Sequence, residues 1–288
     1  MAENGDVEMT LSAYRAHVRF GARTDVGAVR AANEDSILAA MPVFLVADGM
    51  GGHARGELAS QTVVRVFTEH LAADVPSTPE RVLDAIHSAN DAVRDLNDVG
   101  DVGTAVAGTT LAGVALVDTG EGGYRWMAFN VGDSRVYTWD GRVLGQLSVD
   151  HSAVQELVDA GLISEADAER HPERNVITRA IGAEESVDID LWLIPADGRS
   201  GFLVCSDGLS KELDRGEIER VLTNGQDSSE LGAIADELVE RALASGGRDN
   251  ISVVLVESTI EAESDDPEST RDRRDRGDEN LEDTRPRA

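Results

Sequence analysis

The chain has 288 residues, of which 41% are hydrophobic, with a formal net charge of −29 and one cysteine. This length suits one large domain or two small ones with a buried core. The acidity excludes a nucleic-acid or anionic-membrane surface, because such surfaces need clustered Lys and Arg.

Cysteine usage and hydropathy predict a cytoplasmic protein without a membrane span. The single Cys205 excludes an internal disulfide and fits a reducing compartment. It lies in an apolar run, which predicts a small core residue rather than a nucleophile. No apolar stretch approaches the roughly 20 residues that span a bilayer, and the N-terminal residues lack a signal-peptide layout.

The first half of the chain centres on one apolar run. Residues 1–13 are predicted to be a loose leader, and a strand is predicted from Tyr14. Five apolar residues, 43–47, predict a strand buried on both faces that ends at Asp48 and Gly49. A carboxylate beside glycine can hold a hard cation, but Asp-Gly also occurs in plain turns. Both readings stay open for this stretch alone.

Helices and strands then follow in turn. Apolar residues at helical spacing predict one helix over 57–71 and a second from Ser77, which forms a capping-box pattern with Glu80. Successive strands without helices between them, over 109–117, 124–131, 135–139 and 142–146, predict antiparallel pairing, and Asp140-Gly141 marks a hairpin. Asp133 lies beside a glycine at one strand junction.

The second half repeats the opening pattern. Short helices are predicted over 152–160 and from Ser164, and residues 171–182 are either a mobile flap or a long connection. A half-exposed strand over 187–193 precedes a second buried run, 201–206, that ends at Asp207. Helices over 215–222 and 228–245 lead to Asp249, which precedes a last strand over 251–256. Residues 258–288 are predicted to be a disordered tail, either solvated or partner-binding.

Three aspartates therefore lie at the ends of buried strands: Asp48, Asp207 and Asp249. Like charges brought together in a core are costly unless a cation compensates them. An oxygen-only ligand set favours Mg²⁺ or Mn²⁺ over zinc. Two such ions about 4 Å apart would activate a bridging water for in-line attack on phosphorus.

Seven short motifs occur in one order along residues 14–257. They are Arg-x-x-Asn-Glu-Asp from Arg30, Asp-Gly-Met-Gly-Gly-His from Asp48, Gly-Thr-Thr from Gly108, Asn-Val-Gly-Asp-Ser-Arg from Asn130, Asp-His-Ser from Asp150, Ser-Asp-Gly from Ser206, and Asp-Asn from Asp249. This order resembles the PPM family, the type 2C metal-dependent serine/threonine protein phosphatases, in its bacterial form. The resemblance implies an α+β fold, a four-layer α-β-β-α sandwich of two antiparallel sheets flanked by helices.

The resemblance also implies roles for individual residues. Asp48 would bridge two Mn²⁺ or Mg²⁺ ions, with the Gly49 carbonyl on one of them, and Asp207 and Asp249 would complete the shell of the second. Arg30 would grip the substrate phosphate. Three further carboxylates have weaker roles, Glu34 and Asp35 through water on the metals and Asp133, together with Asp207, in a possible third, weaker metal site.

One position departs from the eukaryotic pattern. There, the residue after the metal-binding Asp-Gly is a histidine assigned as general acid, whereas this chain has Met50, which cannot carry a proton. His53 is predicted to be a structural residue of the turn. The resulting hypothesis is that water at the metal centre protonates the leaving oxygen.

Two alternatives remain beside a general phosphatase whose partners are bacterial Ser/Thr kinases and their phosphorylated targets. A phosphoprotein-binding pseudophosphatase would normally have lost metal carboxylates, and all the matched ones are present. A stress-response phosphatase acting on an anti-sigma antagonist usually carries appended sensor domains, for which 288 residues leave no room. The intact Arg30 also favours the general branch. A monomer is the default expectation.

Overall fold

The computed structural model describes residues 2–12, 14–51, 54–98, 106–120, 123–168, 170–225 and 230–262. Within these ranges the strands are β1 (Ala2–Leu11), β2 (Tyr14–Asp25), β3 (Asp35–Ala40), β4 (Val43–Met50), β5 (Gly108–Thr109), β6 (Leu111–Asp118), β7 (Tyr124–Val131), β8 (Arg135–Trp139), β9 (Leu144–Gln146), β10 (Asp190–Pro195), β11 (Gly198–Cys205) and β12 (Ile251–Ala262). The helices are α1 (Ala54–His70), α2 (Pro79–Asp98), α3 (Ala153–Asp159), α4 (Glu165–Ala168), α5 (Asp207–Ser210), α6 (Arg215–Gly225) and α7 (Leu231–Ser245).

The strands form two sheets. The first has the order β1-β2-β12-β11-β8-β9, and the second has the order β10-β7-β6-β4-β3, with β5 paired to β4. Neighbouring strands in both sheets run antiparallel. The strand-rich stretches without intervening helices had predicted this pairing, and the structure confirms it.

Strand β4 shows why the sheets stack as they do. Successive side chains of a strand point to opposite faces. Val43, Leu45 and Ala47 accordingly enter a core shared with α1 and α2, whereas Phe44 and Val46 enter a core between the two sheets. An apolar run without polar alternation is therefore a strand covered on both faces.

Strand β11 does the same on the other side. Phe202 and Val204 face the core between the sheets, and Leu203 and Cys205 face a third core under α5, α6 and α7. The three cores separate four layers in the order helix, sheet, sheet, helix, which confirms the predicted α+β sandwich. Cys205 is fully buried, as expected of a core residue.

The prediction of a loose leader over residues 1–13 is wrong, because Ala2–Leu11 pairs along its length with β2 as an edge strand. From Asp6 to Leu11, polar and apolar residues alternate. Val7 and Met9 pack against the core between the sheets, and Leu11 is buried within it. This period of two was the signal in the sequence. At the other end, β12 continues to Ala262, past the predicted boundary at 257, and the rest of the predicted tail lies outside the described residues.

Smaller corrections concern element ends. Ser77 does not cap α2, since the helix begins at Pro79 and the Thr78 hydroxyl accepts the Arg81 N–H at 3.4 Å. Ser77 instead joins the second sheet, because its N–H donates to the Leu116 carbonyl at 2.9 Å. The half-exposed strand begins at Asp190, later than the predicted residue 187. None of the described helices is long and apolar enough to cross a membrane.

Candidate active site

A cavity of about 470 Å³ opens where the ends of β4, β11 and β12 meet. Five carboxylates line it, contributed by distant parts of the chain: Glu34, Asp48, Asp133, Asp207 and Asp249. Asp35 lies directly behind them, opposite Asp48 in the β3–β4 register, and only 7% of its surface is exposed. The structure therefore brings together all the aspartates that the sequence singled out.

Thr110 fixes the backbone of Asp48. Its hydroxyl accepts the Asp48 N–H at 3.0 Å and lies 2.7 Å from the Ser134 hydroxyl, and its N–H donates to the Asp48 carbonyl at 2.9 Å. Thr109 adds a bond from its hydroxyl to the same carbonyl, at 2.9 Å. The Gly-Thr-Thr motif thus holds the strand end that carries the carboxylate.

Glycine is required at position 49 by a close approach of three backbone segments. A Cβ on Gly49 would lie 2.1 Å from the Gly56 carbonyl oxygen and 2.5 Å from that of Glu34. The Gly49 N–H donates to the Glu34 carbonyl at 3.2 Å. The loop before β3, the end of β4 and the start of α1 can meet here only without a side chain.

Asn250 ties the loop before β3 to the start of β12. Its side-chain oxygen accepts the Glu34 N–H at 2.9 Å, and its amide group donates to the carbonyls of Val26 and Ala32, each at 2.9 Å. Two residues further on, the Ser252 hydroxyl donates to the Asp35 carboxylate at 2.7 Å. The Asp-Asn motif therefore connects the two sheets through the hydrogen bonds of Asn250 and also contains Asp249.

Burial governs the electrostatics of the carboxylate cluster. It raises the pKa of Asp35 and of Asp133 to about 7, with a further increase from the Asp207 charge in each case. The pKa of Asp48 is also well above its ordinary value, because of burial first and then the charges of Asp35 and Asp207. The negative charge of the cluster is only partly compensated, and a bound cation would offset the remainder.

Two side-chain cations reach the cluster. Arg30 donates to the Asp249 carboxylate at 2.8 Å, and Lys211 forms an ion pair with Asp207. Arg30 was predicted to be at the site, but Lys211 was missed. The available signal was its spacing of four residues from Asp207, which places both side chains on one face of a helical turn.

The donor chemistry of the cavity fits a hard divalent cation. The groups are carboxylates and backbone carbonyls, and one oxygen each of Asp35 and Asp207 is buried without a hydrogen-bond partner. Within the described ranges, however, no three Asp, Glu, His or Cys side chains converge closely enough to form a complete metal site as they stand. The assignment of individual ligands therefore stays a prediction.

The segment predicted to be a flap or a connection borders the same cavity. Asn175 and Ile177 line it. Ile181 is buried and exchanges two backbone hydrogen bonds with Thr109, of 2.9 and 3.1 Å, so the end of the segment is anchored to β5. Met50 also lines the cavity, as its place after Gly49 predicts, whereas His53 lies outside the described residues.

The two packed sheets and the carboxylate-lined cavity at their common end fit the class of metal-dependent phosphatases, and comparison with known proteins shows that class. The family model described as protein phosphatase 2C matches residues 28–243. The chain belongs to this family, the type 2C metal-dependent serine/threonine protein phosphatases. The resemblance seen in the sequence motifs, and the enzyme class that it implied, are confirmed.

Individual relatives agree over most of the chain. The serine/threonine phosphatase stp of Listeria monocytogenes is 34% identical over 261 residues, covering 85% of this chain and 96% of the relative. The crystal structure of the Mycobacterium tuberculosis serine/threonine phosphatase PstP/Ppp has a TM-score of 0.71 at 34% identity, with 83% and 97% covered. A PstP catalytic domain in complex with two manganese ions has a TM-score of 0.70 at 32% identity, with 85% and 99% covered.

Proposed function

We propose that this phosphatase removes phosphate from phosphoserine and phosphothreonine side chains of cytoplasmic proteins, opposing bacterial Ser/Thr kinases. The observation that carries the proposal is the convergence of five carboxylates from distant parts of the chain on one cavity that Arg30 also lines. The manganese ions of the similar PstP catalytic domain support the use of Mn²⁺, with Mg²⁺ as the alternative.

Five carboxylates and one carbonyl are proposed to hold two divalent ions. Asp48, with the Gly49 carbonyl beside it, is central because the charges of Asp35, Asp207, Asp133 and Asp249 all act on its half-buried carboxylate. When bound, the ions supply Lewis-acid chemistry, which lowers the pKa of water and neutralises charge on the phosphate. The remaining assignments are Asp207 and Asp249 as ligands and Glu34 and Asp35 through water. Asp133 also lines the cavity, where the family resemblance implied a third, weaker metal site shared with Asp207.

Arg30 is proposed to bind the substrate phosphate. Its side chain is 48% exposed, so it can reach an incoming group, and its bond to Asp249 holds it at the carboxylate cluster. Those charges also raise its pKa further, against the effect of burial, and keep it cationic. A guanidinium offers two parallel N–H donors to a phosphate, which orients the phosphorus atom as well as attracting it.

The leaving oxygen must gain a proton, and the residues that line the cavity within the described ranges include no histidine. Met50, at the position directly after Gly49, lines the cavity, and its thioether carries no proton. We propose that water in the cavity donates the proton to the departing serine or threonine oxygen. Activated aryl phosphates, which need no such proton, should then be hydrolysed faster than phosphothreonine peptides.

A phosphothreonine peptide assay tests the proposal. Hydrolysis is measured with Mn²⁺, with Mg²⁺ and with EDTA, and it should require the metal. Arg30→Ala should raise KM for the peptide more than it lowers kcat, whereas Arg199→Ala, at an exposed arginine in β11, should change neither. Absence of hydrolysis under every metal, in a protein shown to be folded, would instead indicate a phosphoprotein-binding role.

A further inference from the structure

Lys211 is the only lysine in the sequence, and the other 25 of its 26 Lys and Arg residues are arginines. It directly follows α5 and lies in the wall of the catalytic cavity. A lysine differs from arginine in carrying a compact charge on a flexible stem, without the planar fork that binds two oxygens at once. The chain therefore places its one small side-chain cation at the carboxylate cluster.

The ammonium of Lys211 contacts the carboxylate of Asp207, of which only 13% of the side chain is exposed. A lysine is ordinarily protonated at neutral pH. The nearby carboxylates of Asp207, Asp133 and Asp48 favour that charged form. Asp150, the other carboxylate that acts on Asp133, is compensated by Arg135 through bonds of 2.6 to 3.1 Å. Lys211, in contrast, is the described cation that acts on both Asp133 and Asp207.

Charge balance favours two divalent ions over three. The cluster has six carboxylates, five lining the cavity and Asp35 behind them, and Arg30 and Lys211 offset two of the six charges. Two divalent ions neutralise the remaining four. A third ion on Asp133 and Asp207 would leave excess positive charge and would repel the ammonium already in contact with Asp207.

We propose that the ammonium of Lys211 takes the place of a third divalent ion at the Asp133 and Asp207 side of the cavity, so that this chain binds two ions rather than three. The inference rests on the proposed function and replaces the third, weaker site that the family resemblance implied. Asp133 is then a partner for the lysine charge and not a ligand of a metal of its own.

Metal stoichiometry tests the inference without reference to activity. Metal-free full-length protein is titrated with Mn²⁺ by isothermal calorimetry, and free Mn²⁺ is counted independently by electron paramagnetic resonance. The wild type should bind two ions. Lys211→Met and Lys211→Gln, which keep much of the side-chain length without the charge, should each bind a third, weaker ion.

Two variants serve as controls. Lys211→Arg keeps the charge and should still bind two ions, as should Arg215→Gln, which removes an exposed cation of α6 that pairs with Glu219 at 3.4 Å. Three ions in the wild type, or two in both neutral variants, would overturn the inference. If every variant hydrolyses the peptide with two ions bound, the inference about Lys211 is wrong but the proposed function stands. If the wild type neither binds metal nor hydrolyses the peptide, the proposed function is wrong as well.

A second readout needs no variant. Because the sequence has one lysine, an amine-selective reagent modifies a single side chain, and mass spectrometry of the Lys211 peptide gives its rate. If the ammonium stays on Asp207 in the loaded enzyme, saturating Mn²⁺ should change that rate less than twofold. A rise of tenfold or more would show that the metal displaces Lys211 into solvent, contrary to the inference.

Discussion

Buried hydroxyl groups behind the cavity hold the carboxylates that the chemistry requires. Thr110 and Ser134 support Asp48, and Ser252 supports Asp35, each through hydrogen bonds of 3.0 Å or less. Each of these hydroxyls is distant from its partner along the chain; Ser252, for example, is 217 residues from Asp35. They fix the positions of two candidate metal ligands, as partners of metal ligands commonly do.

The first prediction concerns Thr110→Val, which removes the hydroxyl at nearly constant volume. The Asp48 N–H then loses its partner, which should cost about 1–3 kcal/mol of unfolding free energy. Activity or metal affinity should fall by roughly 10–100-fold, as for other partners of metal ligands. Urea unfolding and the Mn²⁺ dependence of peptide hydrolysis measure the two effects. Thr68→Val on the exposed face of α1 is the control, and equal effects at both positions would contradict the account.

The second prediction concerns pH in the metal-free protein. Asp35 and Asp133 have a pKa of about 7 in the folded state against an ordinary 3.8. Between these values the unfolded chain has released its protons while the folded chain retains them, so the free energy of unfolding should fall as pH rises from about 4 to about 7. Urea unfolding in EDTA across this range measures it. Asp35→Asn should reduce the slope, and a stability that increases with pH in this window would contradict the raised pKa values.

The sequence could reveal some of these residues and not others. Asp48 and Asp207 stand out because each ends an apolar run, and that pattern is local. Lys211 and Thr110 gain their roles from contacts that only the folded chain makes. The carboxylates could therefore be found from the sequence, whereas the contacts of Lys211 and Thr110 needed the structure.

At the scale of elements, the site depends on how closely α1, β4 and the loop before β3 approach one another. The turn after β4 leads directly into α1, and Ser60 of that helix donates to the Glu34 carbonyl at 2.6 Å. Gly49 lies at the narrowest point. The packing of this helix on the second sheet thus sets the position of two candidate ligands, Glu34 and the Gly49 carbonyl.

The third prediction is that Gly49→Ala separates these elements. Its Cβ would lie 2.1 Å from the Gly56 carbonyl oxygen, so the backbone must move, at a cost of about 1–3 kcal/mol. Peptide hydrolysis should fall at least tenfold because the carbonyl next to Asp48 moves with it. The matched control is Gly123→Ala, where the nearest atom is 4.0 Å away and unfolding should change by less than about 0.5 kcal/mol. A Gly49→Ala protein with unchanged stability and activity would contradict the close approach.

Elements with one strong period were predictable, and those whose partners lie far along the chain were less so. Strands β4 and β11 can be recognised as apolar runs, and α1 can be recognised by the helical spacing of its apolar residues. Strand β1 was missed because its polar residues conceal the alternation of Val7, Met9 and Leu11, and because its stability comes from pairing with β2. Helix α2 was found with the wrong cap, since Ser77 serves the sheet rather than the helix.

At the scale of the whole molecule, the carboxylate cluster relates the free energy of unfolding to metal binding. Its six carboxylates lie where the two sheets and both helical layers converge, and they are only partly compensated by Arg30 and Lys211. A ligand that binds the folded chain alone stabilises it according to its concentration relative to Kd. We therefore expect metal binding to raise the free energy of unfolding of this chain.

The fourth prediction follows from that coupling. Mn²⁺ at about 100 times its Kd should add about 2.7 kcal/mol to the free energy of unfolding, and EDTA should remove it. Thermal unfolding with and without Mn²⁺ measures the effect. Asp48→Asn should reduce the metal-dependent part while raising the stability of the metal-free protein, because it removes a buried charge. An equal response to Mn²⁺ in both proteins would contradict the role of Asp48.

The most direct test compares phosphate release from a phosphothreonine peptide by the wild type, Asp207→Asn and Asp197→Asn at saturating Mn²⁺. Asp197 is an exposed residue between β10 and β11, at the opposite end of β11 from the cavity, so its substitution controls for the loss of one charge. The wild type and Asp197→Asn should be equally active and require Mn²⁺, and Asp207→Asn should lose at least 100-fold. Full activity of Asp207→Asn, or wild-type activity that persists in EDTA, would contradict a metal centre built on these carboxylates.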